Sequence, residues 1–491
     1  MRSGFFLLGL LSVGASTKGY GGYGGVKRPP GQGQSWENSR QSRNGNISQN
    51  SQQNRLQEVF SWKQLDFNYP TQRARDEAIR SGAFVPMIPE PIGVTAGSKN
   101  RVFISIPRFK NGVPATLTYV NYPSQSSSPL LNPYPNWEMN REGNCDGITS
   151  TFRVKVDECD RLWVLDTGLA NSFIDPKRIC PPQVLTFDLK TDKVINKYQL
   201  PNVIIIHFTR SFMLYFNLGQ AVLNSDSLHV SIEVEYPRGT CGKPSDAVLY
   251  IADTTIFSII VADLSTGKTW KVLDKTVYPS PEAGTFNIAG ESFELMDGVV
   301  GMAFGPKTDP GGRKLYFSAM SSFQQRWVQT SILRNETTAT NSPTAFQTGA
   351  QPRLDQSAGC GMDNNGVLFF GLVTTETLAC WNTRNPFKSR YIGKLARDKT
   401  TLQFLTSVSV DQSQRLWAIS TRLQKFVLET MSPNEAPFAT EDLDQEISLY
   451  LNHDLWKGGG ASPRSPVRGA CGVPSGALWS DQRRPLDTLQ Q

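Results

Sequence analysis

TFRVKVDECDRLWVLDTG, residues 151–168, is the stretch from which the fold is read. Phe152, Val154 and Val156 alternate with Arg153, Lys155 and Asp157, the period of two expected of a β-strand. Asp157-Glu158-Cys159-Asp160 supplies a polar turn. Leu162-Trp163-Val164-Leu165 then runs apolar, as in a strand covered on both faces. Asp166-Thr167-Gly168 stops it and opens a loop.

The same phrase recurs: an aromatic residue in a short apolar run, closed by a polar cluster. Its copies centre on Phe103, Trp163, Tyr250, Tyr316, Phe369 and Trp417, in steps of 60, 87, 66, 53 and 48 residues. Turns rich in Asp, Asn, Gly or Arg precede several copies (DECDR, DPGGR, DNNG, DQSQR). The steps are too uneven for a solenoid and too long for one hairpin, but they suit four-stranded blades with variable loops. VLTFDLKTD–KVINKYQL and SIIVADLSTG–KTWKVLD read as the third and fourth strands of two blades. Six copies predict an all-β chain, a six-bladed β-propeller with disordered N- and C-terminal tails.

Of 491 residues, 38% are hydrophobic and 10% aromatic, enough for a core, and the net charge of +7 is mild. No basic block or basic helix stands out, so nucleic acid is not expected as a partner. Residues 1–15 have the form of a signal peptide: Arg2, an apolar run from Phe5 to Val13, and Val13-Gly14-Ala15 as cleavage site. That run is too short to span a bilayer, so a secreted, extracellular protein without a membrane segment is expected.

Secretion makes disulfides the natural reading of the seven cysteines, none of which has zinc-site spacing. Blade topology puts Cys145 and Cys180 in two loops of one face. It puts Cys159 and Cys241 in turns of neighbouring blades on the opposite face. The expected bonds are Cys145–Cys180 and Cys159–Cys241. Cys360 and Cys380, on non-adjacent strands of one blade, are read as buried thiols, and Cys471 as an odd cysteine in the tail. Asn335 (NET) and Asn46 (NIS) are glycosylation sequons.

Residues 16–55 are Gly/Tyr-rich, then Gln/Ser/Asn-rich, and cannot bury a core. Adhesion to a Gly-rich cuticular matrix is a functional reading of that segment. Residues 56–452 carry the propeller, with a short helix around Thr71–Ser81 and a strand near Trp62 that closes the ring. Blades are expected at about 101–140, 150–200, 225–275, 295–335, 355–395 and 402–450. Residues 453–491 form a Gly/Pro/Ser/Arg-rich tail. Residues 203–225 (VIIIHFTRSFMLYFNLGQAVLNS) have no clear period. They read as an extra buried hairpin or, preferably, as translated intron.

FSWKQLDFNYP, GVPATLTYV, PYPNWEMN, DECDRLWVLDTG, ICPPQVLTFDL, YIAD at Tyr250–Asp253, MDGVVGMAFGP, RKLYFSAMSS and ACWNT identify a resemblance. The chain resembles the yellow/major royal jelly protein family of insects, and looks nearest to its yellow branch, over roughly residues 56–452. The resemblance implies a six-bladed propeller. It also implies one of three roles: cuticle pigmentation with dopachrome conversion, binding of biogenic amines in the channel, or a nutritive or structural glycoprotein. Fold alone does not choose among these.

A dopachrome-converting isomerase needs groups that remove and return a proton. The histidines are only His207, His229 and His453, and none is well placed. Strand-end carboxylates are the weak catalytic candidates: Asp166, Asp253 and Glu291, with Asp297 in the MDG turn. Each has an ordinary alternative as a capping or turn residue. No metal site and no cofactor are expected. For binding, similarity to amine-binding salivary relatives places Thr406, Thr421 and Leu423 at contact positions. Thr421 and Leu423 stand where those relatives carry Asn and Phe, which removes an amide and an aromatic wall. The expected ligand is a small aromatic amine or a dopachrome-like molecule at the channel mouth, with cuticular matrix as a further partner.

Overall fold

The period-2 segments form six antiparallel sheets of four strands, set as the blades of a β-propeller. A computed structural model describes residues 56–201, 226–239, 241–307, 312–353, 355–431, 447–452 and Cys471. The signal-like segment, the 16–55 segment with Asn46, residues 203–225, His207, His453 and all of the tail except Cys471 lie outside the described residues.

In every blade the recurring aromatic sits on the second strand. The inner strands are Gly93–Gly97, Thr151–Val156, His229–Glu235, Val299–Phe304, Cys360–Met362 and Phe404–Val410, each a neighbour of the next around a closed ring. The last blade is completed from the other end of the chain: Gln57–Trp62 pairs antiparallel with Ile447–Asn452. Thr71 caps the helix Gln72–Ser81, its side chain accepting from the Ala74 N–H.

Packing explains the repeated phrase. Trp163, Tyr250, Phe103 and Trp417 are completely buried between blades, each burial contributing about 2–3 kcal/mol before the entropy of ordering. Buried indoles also need an acceptor. Trp163 Nε1 donates to Asp157 Oδ2 at 2.8 Å, and Trp417 Nε1 to Asp411 Oδ2 at 2.9 Å. The same two aspartates take the backbone N–H groups of Arg161 and Arg415, so one carboxylate both closes the turn and seats the aromatic.

The first blade begins at Gly93, not at 101 as the apolar pattern suggested. Its inner strand, GVTAG, has only Val94 as a larger apolar residue, and its first glycine lies where the next blade approaches closely. A Cβ on Gly93 would lie 2.7 Å from the Phe152 carbonyl oxygen of the next inner strand. On the fifth inner strand a Cβ on Gly361 would meet the Ser409 backbone at 2.9 Å.

Cys145 is bonded to Cys180 and Cys159 to Cys241. The reading of Cys380 as a buried thiol is corrected: it is bonded to Cys471. The two are 91 positions apart, and no strand pattern in the tail marks their meeting. Cys360 is the free cysteine among the described residues. Asn335 is exposed and caps the helix Glu336–Asn341, its side-chain oxygen accepting from the Thr338 N–H at 3.0 Å.

Candidate functional site

Inner strands of a propeller turn unpaired backbone edges toward the axis, and those carbonyls need donors. Arg153 supplies them. Its Nη1 donates to Ser231 Oγ (2.9 Å) and to the Val300 carbonyl; its Nη2 donates to the carbonyls of Ala358 (3.0 Å) and Thr406 (2.6 Å). One guanidinium from the second blade therefore ties together the third, fourth, fifth and sixth. Burial lowers its pKa to about 10, which leaves it charged at neutral pH.

Alongside Arg153, toward the ends of the inner strands, a pit of about 220 Å³ follows the axis. Its wall includes Lys155, Glu233, Cys360, Met362, Ser409 and Arg313, and the turns at Asp157–Glu158 and Gln412–Gln414 form its rim. Lys155 Nζ is 2.8 Å from Glu233 Oε1; the lysine side chain is 39% exposed and the glutamate 4%. Glu233 Oε2 is buried and has no hydrogen-bond partner among the described residues. The Cys360 thiol is pushed up to about 12, chiefly by burial, and so stays protonated at neutral pH.

The opposite end of the channel is apolar. The hairpin of Thr285–Ile288 and Glu291–Glu294 and the helix Leu423–Leu428 share an apolar cluster with Phe109, Phe152 and Phe404. Phe286 and Phe293 stack at 5.2 Å, and Phe109 meets Phe426 at 5.7 Å.

The structure places the residues singled out in the sequence mainly at this apolar end, and none of them is in the pit wall. Asp166 accepts from the N–H groups of Thr149, Ser150 and Gly168 and from Gln183 Nε2. Asp253 accepts from Ser227 Oγ and the Leu228 and Ile256 N–H groups, and burial raises it to about 6. These two fasten strand ends. Glu291 accepts from the Thr430 hydroxyl at 2.9 Å. Asp297 is half-buried in the loop before the fourth inner strand, and desolvation pushes it up to about 7. Thr406 and Thr421 are buried, and Leu423 packs into the apolar cluster. Thr406 Oγ1 donates to the Pro91 carbonyl at 3.3 Å, while Thr421 Oγ1 has no partner among the described residues.

His229 opens the third inner strand, completely buried, with both ring nitrogens unpartnered among the described residues. Burial, with Arg178 and Lys271 nearby, lowers its pKa to about 3. Below pH 6.5 the unfolded chain binds a proton at this position that the native state refuses, so stability falls with pH in the window 6.5 to 3. Asp253, its register partner, works oppositely between 3.8 and about 6, since the native state holds that proton more tightly. His229→Phe strands no partner and is expected to be near neutral at pH 8. At pH 5 it should be about 2 kcal/mol more stable relative to wild type. Urea unfolding at the two pH values checks this; parallel pH dependence in both proteins would refute it.

Sequence reasoning missed Lys155 and Glu233. The signal was present in the charges alternating along TFRVKV and HVSIEVE, which read as the solvated face of a half-buried strand. On an innermost strand such positions meet across blades instead.

The model of the family described as "MRJP: Major royal jelly protein" matches residues 149–448. "Dopaminechrome tautomerase" of Drosophila melanogaster is 34% identical over 415 residues, covering 82% of this chain and 84% of that protein. "Protein yellow" of the same species is 34% identical over 395 residues, covering 78% and 68%. Among solved structures, virginiamycin B lyase from Staphylococcus aureus aligns over 74% of this chain and 95% of its own, at 12% identity and a TM-score of 0.36. With the family match over most of the propeller and these relatives across four-fifths of the chain, the protein belongs to the yellow/major royal jelly protein family.

Proposed function

We propose that this chain is a secreted protein of cuticle pigmentation or melanisation that takes an indole or catecholamine-derived small molecule in its axial pit. The observation that carries the reading is the pit itself. Its volume, about 220 Å³, is below the roughly 300–1,000 Å³ of pockets for drug-sized ligands and favours a small ring system. Its wall offers an ammonium and a carboxylate at 2.8 Å to one another, the groups that would orient a ligand with catechol or quinone oxygens. Two relatives named for yellow and for dopaminechrome conversion support the chemical class. Calorimetry with dopamine, serotonin and dopaminechrome tests it. Saturable binding by one of them, weakened in Lys155→Met, is the expected result. Silence across all three would leave only a structural role. Binding unchanged in Lys155→Met would move the ligand to the apolar end, at Thr406, Thr421 and Leu423.

The relative named dopaminechrome tautomerase favours a second reading, in which the bound molecule is turned over. Decay of dopaminechrome at neutral pH, against a heat-denatured control, separates turnover from binding alone. The disulfides fit an oxidising compartment. Asn335 is the proposed glycan site of the secreted protein, because its amide nitrogen is not used in capping the helix.

A further inference from the structure

We propose that Glu233 and Lys155 form the proton-transfer pair of the axial pit, isomerising an aminochrome, an indoline quinone, to the dihydroxyindole. This rests on the reading that the pit holds such a molecule. Three observations converge on the pair. Lys155 Nζ and Glu233 Oε1 are 2.8 Å apart in the wall of one cavity. Glu233 Oε2 is buried without a partner, which is costly for a carboxylate unless a ligand completes it. The strand-end carboxylates Asp166 and Asp253 are already engaged by several donors each.

The reaction is an isomerisation, so no oxidant or reductant is needed. The carboxylate of Glu233 takes a proton from the saturated ring carbon beside the quinone ring. The C–H electron pair moves into that ring, and Lys155 gives a proton to the quinone oxygen that receives the charge. The proton on Glu233 then restores the ammonium, across the pair or through solvent at the pit mouth. A second such shift, from the neighbouring saturated carbon to the other oxygen, completes the aromatic indole. Two C–H bonds break, two O–H bonds form, and the protein ends as it began. General acid–base catalysis of this kind contributes about 10²–10⁴-fold.

The test follows dopaminechrome loss and dihydroxyindole formation with the full secreted chain. Glu233→Gln is expected to lower kcat about 100-fold or more, with KM changed less than threefold. Glu233→Asp should recover part of the rate. Lys155→Met should also lower kcat; its half-exposed side chain makes loss of folding the smaller risk, so it decides the matter if the glutamate variants do not fold. Wild-type kcat in Glu233→Gln or in Lys155→Met, with wild type active, overturns the assignment alone. A wild type that binds dopaminechrome without accelerating its loss overturns turnover and this pair, while the binding reading stands. A wild type that does neither overturns both.

Discussion

Arg153→Met should lower the unfolding free energy by about 2–6 kcal/mol. The guanidinium serves three backbone carbonyls and one hydroxyl on four different blades. Methionine nearly matches its length but donates nothing. The Val300 carbonyl keeps a donor in the Ser231 hydroxyl, but those of Ala358 and Thr406 belong to buried residues, so water does not readily replace the lost donor there. An opposing effect has to be weighed: burying a charge is itself expensive, and exchanging a buried ion pair for apolar residues is often neutral. That outcome applies when both partners are replaced. Here two main-chain carbonyls, of Ala358 and Thr406, stay behind, each costing about 1–3 kcal/mol if unsatisfied. Arg153→Lys keeps the charge but reaches fewer acceptors and should fall in between. Denaturant unfolding followed by tryptophan fluorescence measures the series. Equal stability of Arg153→Met and wild type would show that the inner ring holds without its central donor.

The second large effect is expected at the rim of the pit. The double variant Cys159→Ser, Cys241→Ser should lose about 4 kcal/mol. The bond joins turns of the second and third blades and closes a loop of 82 positions. In the chain-entropy account a loop of that size costs the cross-linked unfolded chain about 4–5 kcal/mol of conformational freedom. The same turns carry Asp157 and Glu158, which line the pit. Asp157 also accepts from Trp163 Nε1 and, at 2.7 Å, from the Tyr236 hydroxyl, so the blade contact persists without the bond. The variant should therefore fold, unfold at lower denaturant, and bind its ligand more weakly because the rim is less fixed. Cys145→Ser, Cys180→Ser is the control: its loop of 35 positions lies on the opposite face. It should lose somewhat less stability and leave ligand affinity unchanged. Undiminished stability in the Cys159/Cys241 variant would show that hydrogen bonding alone holds the two blades together.

The sequence alone specifies the number of sheets and which strand of each carries the large aromatic. That information is local: a polar turn, an apolar run and a bulky ring recur in order, and each ring needs a buried strand to hold it. It also determined the ring closure through Trp62 and two disulfides, because both follow once blade order is known. The remainder came from long-range packing. The first inner strand, Gly93–Gly97, has only Val94 and Ala96 as apolar residues, too weak a run to read, and close approach of the next blade keeps Gly93 small. The Cys380–Cys471 bond joins segments with no pattern in common. The candidate site was least legible of all. Lys155 and Glu233 are 78 positions apart and look like ordinary solvated strand residues. Convergence of inner strands around one axis turns such side chains toward each other, and only a closed ring brings them to hydrogen-bond distance inside a cavity.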